Sequence, residues 1–167
     1  MAYDGVDVEA NEAATAEQFN WLKNSLIATA HKEADETLNN DAALQNDDDL
    51  AVALLTASYY MFFAHILDNS AANADIKFAF TVPANAVLGW THIGLNAGGA
   101  LSAQFIGVSG TATDSYGAAV NWECFLYGVV YTTDTAGNLQ LQWAQNTAQV
   151  SDTKVLRGSS LAVVRLL

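Results

Sequence analysis

The side chains able to do acid–base, metal or nucleophilic chemistry are few and scattered. His31, His65 and His92 lie on three separate stretches. No two of them share an HxH or HxxxH spacing, so no preformed metal site is expected. Asp47-Asp48-Asp49 has the oxygens for a hard cation but lacks the glycine and downstream glutamate of an EF-hand loop. It reads as a solvated charge run, or as a cluster that caps the start of an element. Cys124 is the single cysteine, set in the apolar run WECFLYGVV, and reads as a small buried hydrophobe with no disulfide partner. The glycines of GLNAGGA and GVSGTATDSYGAA follow no phosphate-loop or dinucleotide pattern, and no GxSxG elbow surrounds a serine. The catalytic, cofactor and metal sets are therefore expected to be empty, and the chain is expected not to be an enzyme.

Charge narrows the partners. Residues 1–50 hold twelve acids against Lys23 and Lys32; residues 51–167 hold six against Lys77, Lys154, Arg157 and Arg165. The whole chain carries a formal −12. Nucleic acid is excluded as an expected partner, because nothing basic is available to replace phosphate counterions. The acidic first third is either solvation or a docking element for a basic surface. No apolar run reaches the roughly 18 residues of a membrane span, and MAYDGVDVEA has no basic and apolar leader pattern. A soluble protein of a reducing compartment, with no membrane partner, is the expectation.

Two regions are expected to position these residues. In 1–49, Thr15-Ala-Glu-Gln18 reads as a capping box, and Phe19, Leu22, Leu26 and Ala30 follow at helical spacing with Trp21 beside them. This predicts an amphipathic helix over about 15–33, followed by an acidic linker over 34–49. From Leu50 the period becomes two. In SYYMFFAHIL, Tyr59, Met61, Phe63 and His65 share one face and Tyr60, Phe62 and Ile66 the other, while LAVALL before it fits strand or helix. DIKFAFTVP places Ile76, Phe78, Phe80 and Val82 inward and stops at Pro83, the only proline. VLGWTHIGL, QFIGVSG, VNWECFLYGVVYT, NLQLQWAQN and SSLAVVRLL follow between turn-rich clusters. About eight antiparallel strands in 50–167 predict a mainly β domain, a β-sandwich or jelly roll.

Three segments carry a resemblance. ADIKFAFTVPANA (74–86), GNLQLQWAQN (137–146) and GSSLAVVRLL (158–167) resemble, in order and spacing, the C-terminal strands of virion proteins of tailed bacteriophages. There such strands form a small jelly roll, likened to the tumour-necrosis-factor fold, that assembles as a trimer in capsid decoration proteins, head fibres and some tail-associated fibres. The resemblance implies a homotrimeric capsid decoration (cement) protein, made in the host cytoplasm and located on the capsid surface. Residues 50–167 would be the trimerisation domain. Residues 1–49 would attach to the major capsid or another virion protein, with Phe19, Trp21, Leu22 and Leu26 as the attachment surface. Gln140, Gln142 and Gln145 would line the trimer seam, since amides both donate and accept. The alternative is a tail-associated receptor-binding module, in which Trp90, Tyr116 and Trp122 would gather at loop ends and stack on a host-surface glycan. An unrelated ligand-binding β-sandwich is the third reading.

Overall fold

Alternation of large apolar residues with small or polar ones favours extended chain, because successive side chains of a strand point to opposite faces. The computed structural model describes residues 27–107 and 109–166, and among these there is no helix. The strands are β1 (Ile27–His31), β2 (Glu36–Asn39), β3 (Gln45–Leu54), β4 (Tyr59–Asn69), β5 (Ile76–Thr81) and β6 (Val87–Leu95), then β7 (Leu101–Ile106), β8 (Thr113–Ser115), β9 (Asn121–Tyr131), β10 (Gly137–Gln145), β11 (Asp152–Val155) and β12 (Ser160–Arg165). An eight-stranded sheet runs β1-β12-β4-β9-β6-β7, with β11 bonded to both β4 and β2. A four-stranded sheet runs β3-β10-β5-β8. The chain is thus mainly β, in two antiparallel sheets.

The sheets meet through their inward faces. Tyr60, Phe62, Ala64 and Ile66 of β4, Leu126 and Val130 of β9, and Leu88 and Trp90 of β6 are buried. So are Ile76, Phe78 and Phe80 of β5 and Leu139, Leu141 and Trp143 of β10, and all of these except Ala64, whose side chain is only a methyl, add large apolar surface to one core. The Phe80 ring stands edge-on to Phe62 at 4.9 Å and to Trp90 at 5.2 Å. Gly128 lies between Phe62 and Trp90 in the register. A Cβ there would fall 2.2 Å from the Gly89 carbonyl oxygen and 2.8 Å from the Phe62 ring, so only glycine permits this close approach.

The two alternating faces expected for 58–67 are seen in β4, the inward set expected for 75–83 matches the core with Ile76, Phe78 and Phe80 buried and Val82 packed against them, and Cys124 is buried as expected. The N-terminal third differs. Residues 15–26 of the expected helix, with Phe19, Trp21, Leu22 and Leu26, lie outside the described residues. Its remainder is not helical: Ile27–His31 is strand β1, paired antiparallel with β12 from Ile27–Val164 to His31–Ser160. Without β1, β12 would be a bare edge, and the ladder outweighs local helical spacing. The expected acidic linker over 34–49 holds β2 and half of β3, which runs through residues 49 and 50. β1, β2, β8 and β11 are the strands beyond the expected eight.

A buried cation organises this acidic stretch. Lys32 Nζ donates to Glu36 Oε2 at 2.6 Å and to both Asp47 oxygens at 3.0 and 2.9 Å, with Asp49 3.5 Å away. Asp47 Oδ1 also accepts from the backbone N–H of Asp49 and of Leu50. Asp47 is thus buried and braces the register shift of β3 between Asn46 and Ala51, while Asp48 stays exposed. Burial works against the Lys32 charge, but its hydrogen bonds to Glu36 and Asp47 outweigh that and hold its pKa above the ordinary value.

Trp143 has no hydrogen-bond partner for its indole nitrogen among the described residues, so its contribution is packing. Trp143→Ala is expected to cost roughly 3–5 kcal/mol through the cavity left behind. Gln142→Ala removes a bond to Asn46 Oδ1 on the opposite, accessible side and should cost under about 1 kcal/mol. Urea denaturation of both variants checks this; equal small losses would contradict the register of β10.

Candidate assembly interface

One end of the outward face of the eight-stranded sheet is rich in exposed apolar side chains. The register lines up Leu166, Tyr59, Tyr131 and Val87 at one end. The next row is Ile27, Val164, Met61, Val129 and Gly89. Below it stand Thr29, Ala162, Phe63, Tyr127, Thr91 and Phe105. The fourth row, His31, Ser160, His65, Phe125, Ile93 and Ala103, brings the first ionisable groups. Tyr59 stacks on Tyr131 at 4.3 Å, and Phe125 stacks on both Phe63 and His65.

These side chains are open. Tyr59, Met61 and Val129 are each more than half exposed, and Phe105 is 76 % exposed. The Phe105 ring lies over Gly89 and Gly107, whose missing side chains leave it a floor at about van der Waals distance (3.5 Å to an added Cβ). Six strands spaced at about 4.8 Å, by three rows about 6.8 Å apart, give a footprint on the order of 500 Å². That is within the upper range of the largest apolar patch that monomers expose, a patch that is often functional.

The residues singled out from sequence fall elsewhere. Gln140, Gln142 and Gln145 do not share a face, since strand parity puts the first two outward and the third inward. The Gln140 amide donates to the Asp47 carbonyl at 2.8 Å. Gln145 is buried, accepts from the N–H groups of Asp41 and Gln149, and donates to Ser151 O and Thr153 Oγ1. Of the three aromatics considered for sugar stacking, Trp90 belongs to the core. Tyr116 and Trp122 do meet, edge to face at 5.7 Å. The outward residues of β6 and β7 were not singled out, whereas 58–67 and 122–131 show in the sequence large side chains on both faces, more than one small sandwich usually buries, as in FLYGVVY.

No cluster of histidine, cysteine and acid side chains suited to a metal ion occurs among the described residues. His65 Nε2 lies 2.9 Å from Glu123 at the margin of the face, and His31 is 3.7 Å from Glu33. His92 is buried, which lowers its pKa, with Asp114 opposing the shift. Cys124 is held as a thiol far above its ordinary pKa by burial and by the nearby Asp68 and Glu123 charges, and so is a poor nucleophile. Asp68, fully buried on β4, finds no partner for either oxygen among the described residues. Burial alone raises its pKa to about 7.

No family model matches the chain. No curated protein matches it. Among solved structures, it is similar to the VP2 subviral particle of infectious bursal disease virus, at 6% identity and a TM-score of 0.22. It is also similar to structures of the Gx strain (10% identity, TM-score 0.21) and the Gt strain (8%, 0.23) of that virus. Each similarity covers 83% of this chain and 38–40% of the other, so the chain spans about two fifths of the length of these structures. At such TM-scores no argument passes from them to this chain, and its fold rests on the strand pairing above.

The Asp68 environment sets a pH dependence. The folded chain keeps this proton up to about pH 7, whereas the unfolded chain releases it near 3.8. The folded state therefore binds more protons in that window, and stability falls as pH rises from about 4 to about 7, then levels off. Asp68→Asn should remove that slope and be more stable than the unchanged chain at pH 8 by up to about 4 kcal/mol, less the cost of burying an unpaired amide. Urea titrations at pH 4.5 and 8 test this; parallel pH profiles for the two proteins would contradict it.

Proposed function

We propose that the chain is a self-assembling structural protein of a virus particle that closes into a homotrimer through the outward face of its eight-stranded sheet. Most concretely it is a capsid decoration protein of a tailed bacteriophage, non-catalytic, seated on the major capsid protein at the capsid surface. The observation that carries this reading is the run of exposed side chains from Tyr59, Met61 and Phe63 across Val129 and Tyr127 to Phe105. Water contact over so large an apolar area is unfavourable at about 25 cal/mol per Å², and a closed ring of subunits removes it without leaving a free surface.

The strand order supports a jelly roll. With β2, β6, β7 and β11 set aside, eight strands remain in chain order. The first pairs with the eighth (β1 with β12), the second with the seventh (β3 with β10), the third with the sixth (β4 with β9) and the fourth with the fifth (β5 with β8). That nesting is a long antiparallel hairpin rolled into two sheets, the jelly-roll plan. The three segments that resemble phage virion proteins supply β5, β10 and β12 of this plan.

Sedimentation equilibrium of the full chain is expected to give about three times its 17.8 kDa mass. Phe63→Ser and Phe105→Ser should each weaken assembly by about tenfold or more. Both side chains are exposed in the single chain, so its far-UV spectrum should not change. A monomer at micromolar concentration would overturn the trimer. Imaging of intact particles tests the location: hundreds of copies on capsid symmetry axes are expected, and a handful at the tail would favour the receptor-binding alternative. Removal of residues 1–26, which spares β1 and Lys32, should leave the fold intact and abolish co-sedimentation with undecorated capsids.

A further inference from the structure

The first three strands each bring one reactive group to the same buried point. Lys32 follows β1, Glu36 opens β2 and Asp47 lies in β3. β1 is the outer strand of the larger sheet and β3 that of the smaller, and the two strands touch. The Lys32 and Asp47 side chains are withdrawn from water, while Glu36 reaches it in part and Asp49 openly. Both reacting residues are fixed through their backbones. The Lys32 N–H donates to Ser159 O at 2.8 Å, and its carbonyl accepts from Gly158 at 3.0 Å. The Asp47 carbonyl is held by the Gln140 amide at 2.8 Å. An amine and a carboxyl group fixed in this way do not have to meet by diffusion, and well-oriented pairs reach effective concentrations of about 10⁵–10⁸ M.

The contacts divide into the parts that amide formation needs. Nζ is 3.0 Å from Oδ1 and 2.9 Å from Oδ2 of Asp47, so the carboxyl carbon between them is the carbon it faces. Oδ1 also accepts the backbone N–H of Asp49 at 3.0 Å and of Leu50 at 2.8 Å. Two fixed donors on one oxygen form an oxyanion hole, which stabilises the negative charge of a tetrahedral intermediate. Oδ2 accepts from Lys32 alone among the described residues, and is the oxygen free to leave. Glu36 Oε2 stands 2.6 Å from Nζ and is oriented by the Asp48 N–H at 3.1 Å. It is placed to take a proton from the ammonium group and pass it on, as a general base and then a general acid. The hydrogen bonds that raise the Lys32 pKa resist loss of its proton to water, whereas this transfer keeps the proton within the trio. Two charges held away from water are costly to keep there, and conversion to a neutral amide removes both.

We propose that the Lys32 and Asp47 side chains join in an intramolecular isopeptide bond, with Glu36 as the proton relay. Glu36 first moves one ammonium proton to Oδ2, leaving an amine beside a neutral carboxylic acid. The Nζ lone pair then bonds to Cγ, and the C=O electrons move onto Oδ1. Nζ gives a second proton through Glu36 to the Oδ2 hydroxyl, which leaves as water while Oδ1 regains its double bond. Nothing is oxidised or reduced, and Glu36 ends as it began. The product ties β1 to β3, the outer strands of the two sheets, and is independent of the assembly proposed above. Intact-mass spectrometry of the full chain tests it. The folded protein is expected to be lighter than its sequence by one water molecule. Trypsin should then yield a peptide spanning residues 24–77, uncut after Lys32 and carrying the whole deficit, with fragment spectra that place the bond at Lys32 and Asp47. Lys32→Arg and Asp47→Ala should keep the full sequence mass. Glu36→Gln retains both reacting groups and should slow the loss of water by about a hundredfold or more, read by timed sampling of cell-free synthesis. The bond is disproved if the folded chain keeps its full mass and trypsin cuts after Lys32 once the chain is denatured, or if the deficit maps to another segment. Unchanged conversion in Glu36→Gln overturns the relay.

Discussion

β4 and β9 pair without a break from Tyr59–Tyr131 to Asn69–Asn121, and every other strand of the larger sheet is placed by that ladder. β12 and β11 add to the free side of β4, and β6 adds to the free side of β9. A ladder of alternating side chains sets two surfaces at once. Its inward set, with Phe62, Ile66 and Leu126, forms half of the core. Its outward set, with Met61, Phe63, Tyr127 and Val129, is the centre of the apolar face. Its last pair, Asn69 with Asn121, ends the ladder in a bond between side-chain amides. Core and face are therefore two sides of one pairing.

Much of the larger pattern was legible in the sequence because period-two alternation is a local property. The two alternating faces of β4, the inward set of β5 and the alternation of β10 follow from it. What depends on distant partners was not legible. Leu22, Leu26 and Ala30 fall at helical spacing, yet Ala30 pairs with Leu161 in a strand, and nothing near residue 30 announces that partner. Trp90 lies in VLGWTHIGL, read as a strand, but nothing near it shows that Gly128 of a distant strand makes room for its ring inside. The surplus of aromatic residues was visible. Which strands carry them side by side was not, because strand order is a property of the whole sheet.

The acidic first third shows a similar division. Its net charge suggests a solvated segment, but Lys32 gathers Glu36, Asp47 and Asp49 around one ammonium group. The charge of the desolvated Asp47 is balanced there, and its Oδ1 also accepts from backbone N–H groups at the register shift of β3. Removing only the cation would leave a buried carboxylate without its counter-charge, which is more costly than never having buried the pair. Acidity and strand structure coexist in this segment because one lysine is placed to reconcile them.

Gly128 has a consequence for how the chain finds its register. In most half-buried strands a slip of one residue exposes the apolar set and is rejected on that ground alone. Along β4 and β9 both parities are apolar, so a slipped ladder would bury nearly as much oil as the correct one. What separates the two is local fit. Only one residue of β9 can lie between Phe62 and Trp90, and only one alignment lets Thr132 bond the Ser58 carbonyl and the Leu55 carbonyl together. Folding on such a template has a close competitor displaced by a single residue, and it is a missing side chain and a single hydroxyl that disqualify it.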